Sequence, residues 1–332
     1  MKLPSARGPL STALVDALGG GSSHLPEVAP DGDEDLHLSL FICYEMAYRG
    51  WDGVDDGWEW HPDLLRVRAG LERRFEAYLH ELVGPVEPAD PASVPHALAE
   101  IVAADDGPSL SGYLRGRATH EQFREFVTHR SVYHLREADP HTYAIPRLGG
   151  RAKAALIEIQ LDEYGGGVTE RMHQELFKQT MTWFGLDLTY GAHVDVVPAT
   201  TLAVNNLMSL FALHRARRGA ILGHLAAYEM TSSLPNRGYG NGLRRLGGDE
   251  RATAFYDEHV EADAVHEQIA ANDLCATFAA GEPELAGQVL WGARCALAVD
   301  TVWARSVFDA WQAGRSSLRE PFTAPSTPAA SG

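Results

Sequence analysis

The chain has 332 residues, of which 45% are hydrophobic and 22% charged. A chain of this length and apolar content can bury a sizeable core, which excludes a wholly disordered protein. Its 28 basic and 45 acidic residues leave a formal net charge of −17. We therefore exclude nucleic acid and anionic membranes as main partners, because both repel an acidic chain.

The sequence also lacks the features of secreted and membrane proteins. Its three cysteines are too few and too scattered for a disulfide framework. No segment reaches the roughly 18 uncharged apolar residues of a membrane span, and the N-terminus shows no convincing signal peptide. We therefore expect a soluble, cytoplasmic protein. Its 15 histidines are more informative, because histidine ligates metals and moves protons.

Helix patterns dominate the chain between residues 34 and 315. Residues 1–33 and 316–332 are rich in Gly, Ser and Pro without an apolar period, so we expect an irregular N-terminal segment and a disordered tail. Between them, apolar residues recur three and four positions apart. The predicted helices span 36–51, 61–83, 91–104, 120–136, 151–164, 169–183, 199–216, 219–233, 249–274 and 283–311. Pro198 interrupts the only β-branched stretch, so we predict one all-α domain of the helix-bundle type over 34–315.

The most specific chemical pattern lies in the helix predicted over 249–274. His259, Asp263 and His266 are offset by four and seven residues, which places all three on one stripe of a helix. Two imidazoles and a carboxylate form a ligand set that suits non-haem iron. The alternative is a solvated charged face, because four further acidic residues lie close by in the sequence. This motif by itself leaves both interpretations open.

Further ligand-type residues occur in other predicted helices. Glu229 follows an apolar run, Glu163 precedes three glycines, Glu137 ends its helix, and His173 lies ten residues beyond Glu163. A buried carboxylate is costly unless it is paired or coordinated, although each of these acids could also lie at the surface. We interpret His134, near Glu137, as an ordinary core or surface histidine. Combined with the stripe, these residues supply four carboxylates and three imidazoles, which fits a dinuclear iron site between facing helices.

Three segments resemble the haem-oxygenase-like di-iron oxidases, a family often labelled iron-containing redox enzymes. They are IQLDEYGGG (159–167), GHLAAYEMTSS (223–233) and HVEADAVH (259–266), and the resemblance extends over roughly residues 120–315. It implies a haem-oxygenase-like bundle with a seven-helix core plus extra N-terminal helices. The iron ligands that it implies are Glu137, Glu163, His173, Glu229, His259, Asp263 and His266. It also implies two irons that cycle between Fe2+ and Fe3+, reduce O2 to a peroxo-diferric species and receive electrons from an external donor.

The ten-residue step from Glu163 to His173 resembles the branch of the family that oxygenates nitrogen. That resemblance implies oxidation of a small amine, guanidine or aminoazole to a hydroxylamine, nitroso or nitro compound in natural-product biosynthesis. Two alternatives stay open. One is a di-iron oxidase that cleaves or desaturates C–C or C–H bonds of a fatty or amino acid, and the other is a helical ligand-binding protein without turnover. We expect a homodimer, the common arrangement of soluble oligomers.

Overall fold

The computed structural model describes residues 1–22 and 24–322, except for the side chains of residues 261–264. Within these residues the chain forms helices and turns and no strands, which confirms the all-α prediction. The α-helices are α1 (Pro9–Leu18), α2 (Gly32–Glu45), α3 (Pro62–Val83), α4 (Val94–Ala103), α5 (Leu110–Gly116), α6 (His120–His134), α7 (Asp139–Thr142), α8 (Gly150–Glu163), α9 (His173–Trp183), α10 (Ala199–Leu213), α11 (Arg218–Arg245), α12 (Glu250–Gln268), α13 (Thr277–Gly281) and α14 (Ala286–Gln312). A π-helical segment, Ile269–Ala276, connects α12 to α13. None of the described helices has the length and apolar run that crossing a bilayer requires.

The centre of the bundle is formed by α10, α11 and α14. Helix α10 is buried along almost its whole length, and α11 packs against α12 on one side and α14 on the other. The contact between α11 and α14 depends on two glycines. A Cβ atom on Gly223 would lie 1.8 Å from the carbonyl oxygen of Val289, and one on Gly292 would lie 2.1 Å from that of Ala220. The two backbones therefore approach each other more closely than any side chain would permit.

The N-terminal segment differs from the prediction of an irregular residues 1–33, because residues 9–18 form α1. Its apolar residues Leu10, Leu14 and Leu18 are buried, and the helix packs against α2. The carboxylate of Asp35, in α2, accepts hydrogen bonds from the backbone N–H groups of Leu10 (3.0 Å) and Ser11 (2.7 Å). These free N–H groups of the first turn are thus satisfied by a residue from another helix.

Two further boundaries differ from the prediction. Helix α11 continues through Pro235, although a proline removes one helical hydrogen bond and usually ends a helix. Beyond it, Gly238 and Gly242 lie against α5, and this packing sustains the helix. The tail predicted to be disordered from residue 316 contacts the bundle in its first part. Ser317 donates two hydrogen bonds to Glu125, and residues 323–332 lie outside the described part of the chain.

Replacing Gly223 by alanine should destabilise the protein, because the methyl group meets a backbone carbonyl that cannot move without separating α11 from α14. We expect the Gly223→Ala variant to lose about 3 kcal/mol in its free energy of unfolding. Urea titration of the metal-free protein measures this loss. Gly281→Ala is the matched control, because a Cβ at that position has open space around it. Equal unfolding midpoints for the two variants would contradict the packing described here.

Candidate metal centre

Five segments bring acidic and imidazole side chains together in the interior. Glu163 is the last residue of α8 and His173 the first residue of α9, while Glu229 lies within α11. Helix α12 contributes His259 and His266, and Glu137 follows the end of α6. Glu163, His173, Glu229, His259 and His266 are all buried. The three glycines after Glu163 form a tight turn with positive φ angles, and this turn returns the chain so that His173 lies beside Glu163.

The first ligand group consists of Glu163, His173 and His259. Each offers one ligand atom, and the three atoms lie within 4.8 Å of one another. Nδ1 of His173 is 3.1 Å from Oε2 of Glu163. Nδ1 of His259 donates a hydrogen bond to the carbonyl oxygen of Phe255 at 2.8 Å, which leaves Nε2 as the free lone pair. That Nε2 atom lies 3.9 Å from Oε1 of Glu137.

The second ligand group consists of Glu163, Glu229 and His266, again with one ligand atom each within 4.8 Å of the others. Nε2 of His266 lies 2.8 Å from the carboxylate of Asp162 and donates to it, so Nδ1 is left free, 3.5 Å from Oε2 of Glu229. This is the way carboxylates commonly orient metal-ligating histidines. Glu163 belongs to both groups, which is the position of a bridging carboxylate.

The unsatisfied atoms of the cluster fit a metal centre. Oε2 of Glu163, Nδ1 of His173 and Nδ1 of His266 are buried and have no hydrogen-bond partner of good geometry among the described side chains. A buried polar atom without a partner is costly, and three of them in one place require an explanation. Divalent cations between the two groups would coordinate all three atoms. Mixed carboxylate and imidazole donors of this kind suit iron.

The electrostatics of the cluster favour cations. Burial by itself would raise the pKa of Glu137, but His134, His259 and His173 outweigh it and lower that pKa to about 2. Burial lowers the pKa of His173, yet the neighbouring Glu163 outweighs this and raises it to about 9. The pKa of His266 is likewise raised to about 9, against the effect of burial, chiefly by Glu229. Without metal, protonation of these two histidines therefore offsets part of the carboxylate charge.

The structure brings six of the seven predicted site residues together. Glu163, Glu229, His173, His259 and His266 form the two ligand groups, and Glu137 lies at their edge. The side chain of Asp263 lies outside the described residues, although α12 includes its backbone. That all seven bind iron stays a prediction.

Two residues that contact the predicted ligands were not among the site residues predicted from the sequence. Asp162 binds His266, and Nδ1 of His134 lies 3.0 Å from Oε2 of Glu137. His134 is therefore part of the site rather than the ordinary histidine that the sequence suggested. The three-residue spacing between His134 and Glu137 was the available signal, since such pairs face each other on a helix.

A cavity of about 340 Å³ adjoins the two ligand groups. Glu137, Glu163, Glu229 and His259 line its inner end, and it extends to the loop before α5, where Asp105 is exposed. Polar and charged side chains make up about half of its lining, and aromatic and apolar residues form the rest. A small molecule that enters at the loop would therefore reach the ligand groups without crossing bulk solvent.

Comparison with known proteins identifies the class. A family model described as iron-containing redox enzyme, of haem-oxygenase type, matches residues 124–301, which is more than half of the chain. The chain therefore belongs to the haem-oxygenase-like family of iron-containing redox enzymes, which makes it an oxidoreductase. The match includes every residue of the two ligand groups.

Individual relatives are more distant. A nitrosourea synthase from Streptomyces achromogenes subsp. streptozoticus is 24% identical over 210 residues, which cover 62% of this chain and 44% of that protein. The similarity thus spans less than half the length of that relative. Among solved structures, a CADD-like protein of unknown function from Nostoc punctiforme is similar with a TM-score of 0.45 and 15% identity, over 72% of this chain and 97% of that one.

Because Glu163 belongs to both ligand groups, its substitution should weaken iron binding at both positions. Glu163→Gln removes a charged ligand from both groups, so we expect affinity at both positions to fall by about tenfold or more. Glu229→Gln should weaken one position only. Iron content after anaerobic loading and gel filtration measures the difference, with Glu158→Gln, an exposed acid in the same helix, as control. If Glu163→Gln retains as much iron as Glu158→Gln, Glu163 does not bridge the two groups.

Metal binding should release protons at neutral pH. His173 and His266 have pKa values of about 9 in the metal-free protein, so both carry a proton at pH 7.5 that a metal must displace. Affinity should therefore rise as the pH increases toward 9. Calorimetric titration with Mn2+ in buffers of different ionisation enthalpy should count about two protons per fully loaded protein at pH 7.5. Release of fewer than one would contradict displacement of protons from these two histidines by the metal.

Proposed function

We propose that this protein is an O2-dependent non-haem di-iron oxygenase that oxidises the nitrogen of a small amine, guanidine or aminoazole. The observation that carries the proposal is the pair of ligand groups that share Glu163 at the inner end of a cavity. Two iron ions bound there would supply the electrons that activate O2. A mononuclear site would not need a second set of buried acid and imidazole ligands on the other side of Glu163.

Oxidation of nitrogen rather than carbon is supported by two observations. The step of ten residues from Glu163 to His173 resembles the nitrogen-oxygenating branch, and one relative is named for forming a nitrosourea. The first oxidation inserts one oxygen atom of O2 into an N–H bond to give N–OH. The other atom leaves as water, with two protons and two electrons. We therefore propose an external electron donor as a partner of the protein.

The residues around the centre have distinct parts in this reaction. His134 and Glu137 lie 3.0 Å apart at the cavity wall, so a proton held between Nδ1 and Oε2 can be passed inward. Asp162 keeps Nδ1 of His266 directed at the ligand group through its bond to Nε2.

The test is anaerobic loading with Fe2+, addition of a candidate amine and a reductant, and then addition of O2. We expect O2 consumption and a product heavier by one or more oxygen atoms, retaining all its carbon. Loss of carbon or of two hydrogens from the substrate would instead favour the C–C or C–H oxidase. Failure to bind iron would leave a helical ligand-binding protein. Glu163→Gln should abolish O2 consumption, whereas Glu158→Gln should match the wild type.

A further inference from the structure

One buried ion pair of the fold holds the chain segment that carries Glu137. Nη1 of Arg136 donates to Oε2 of Glu45, the last residue of α2, at 3.2 Å. The two side chains are 1% and 0% exposed, so water cannot replace either partner. Arg136 directly precedes Glu137 on the turn between α6 and α7. The ion pair therefore anchors the backbone from which a predicted iron ligand extends.

The Glu45 carboxylate is itself held from two sides. The Tyr190 hydroxyl donates to Oε2 at 2.9 Å, and the backbone N–H of Arg49 donates to Oε1 at 3.4 Å. On the other side of the ion pair, the Arg136 guanidinium lies over the Tyr48 ring, 4.8 Å from its centroid. Neither ion can turn away without losing these contacts, so the pair has a fixed geometry.

The chain beyond Glu137 is anchored as well. Oδ1 of Asp139 accepts a hydrogen bond from the Tyr164 hydroxyl at 2.8 Å, and Oδ2 lies 3.8 Å from Nη2 of Arg49. The Arg49 guanidinium in turn lies over the ring of Tyr190, 4.2 Å from its centroid. The turn is thus held on both sides of Glu137, and both anchors lead back to the end of α2.

Stability by itself does not require charges at this place. Arg136 has two buried nitrogens, Nε and Nη2, without a hydrogen-bond partner of good geometry among the described residues. Desolvating an ion pair costs free energy, and apolar side chains of similar volume often stabilise a fold as well or better. An ion pair adds direction, because its hydrogen bonds form in one geometry only. A ligand on a turn needs such direction, since no helix fixes its backbone.

We propose that Glu45 is a positioning residue for the metal centre and acts through Arg136 on Glu137. Oε1 of Glu137 lies 3.9 Å from Nε2 of His259, a member of the first ligand group. Fixing Glu137 therefore supports metal binding at that group and leaves the second group unaffected. Glu45 precedes residues 124–301, so a helix outside the family match directs a predicted ligand inside it. The inference rests on the proposed function, which requires metal at both groups.

The test uses Mn2+ and the full-length protein, with calorimetry and electron paramagnetic resonance. Two Mn2+ ions that share Glu163 couple magnetically, whereas a single bound ion gives the spectrum of an isolated centre. Glu45→Gln should lower the affinity of one position about tenfold and leave the other unchanged. At metal concentrations that just fill both wild-type positions, we therefore expect the coupled spectrum from the wild type and the isolated one from Glu45→Gln.

A double variant separates positioning from stability. Glu45→Leu combined with Arg136→Met replaces the buried ions by apolar side chains, so its resistance to urea should match or exceed that of Glu45→Gln. Its metal binding should still resemble that of Glu45→Gln, because Glu137 has lost its anchor. A stable double variant with the affinity and the coupled spectrum of the wild type overturns the proposal.

A milder change keeps the test informative if Glu45→Gln does not fold. Tyr190→Phe removes one donor to Glu45 by a single atom, and it should weaken the same metal position several-fold. Tyr143→Phe is the matched control, because that hydroxyl donates to the carbonyl oxygen of Ala47 and has no contact with the ion pair. Equal Mn2+ affinities for the two tyrosine variants contradict the positioning role.

Addition of O2 and an amine to Fe2+-loaded samples separates this inference from the proposed function. Selective loss of one metal position in the variants, without amine oxidation by the wild type, supports the role of Glu45 and contradicts the function. Amine oxidation by the wild type, with unchanged metal binding in the variants, supports the function and contradicts the role of Glu45. A wild-type protein that binds no metal contradicts both.

Discussion

The structure depends on one carboxylate, Glu163, that two sets of buried ligands approach at once. Burying three carboxylates and three imidazoles together is unfavourable unless their charges are balanced. In the metal-free protein, protons on His173 and His266 offset part of the carboxylate charge, and bound cations would take over that role. A framework of four helices holds these groups at coordinating distances. It consists of the end of α8, the start of α9, the turn between them, and the packing of α11 against α12.

The same framework determines the cavity. Helices α6, α11 and α14 each contribute to the metal end or to the wall beyond it, so the ligands and the wall residues lie on shared helices. Tyr228 adjoins Glu229 in the sequence, and Arg130 precedes His134 by one turn. A shift of either helix would therefore move a ligand-group contact and a cavity side chain together. The close contact at Gly223 and Gly292 limits such shifts, since the backbones of α11 and α14 already touch.

Most helices could be predicted because their apolar periodicity is local. The predictions for α3, α8, α9 and α14 agree with the structure to within a few residues. Three of the departures share one cause, which is stabilisation from distant parts of the chain. Helix α1 needs Asp35 to satisfy its first turn, the second half of α11 needs α5 to continue past Pro235, and Ser317 is held by Glu125. None of these contacts is visible in a window of neighbouring residues.

For the candidate site, the sequence by itself determined the types of ligand and their helical spacing, because four and seven residues along a helix return to the same face. It also determined the family resemblance. Only the tertiary structure decided that Glu163 stands between two groups, that Asp162 and His134 hold their neighbours, and that Arg130 and Asp300 meet across the cavity. These relations join residues that are up to 170 positions apart, and distance along the chain carries no information about which side chains meet after helices pack.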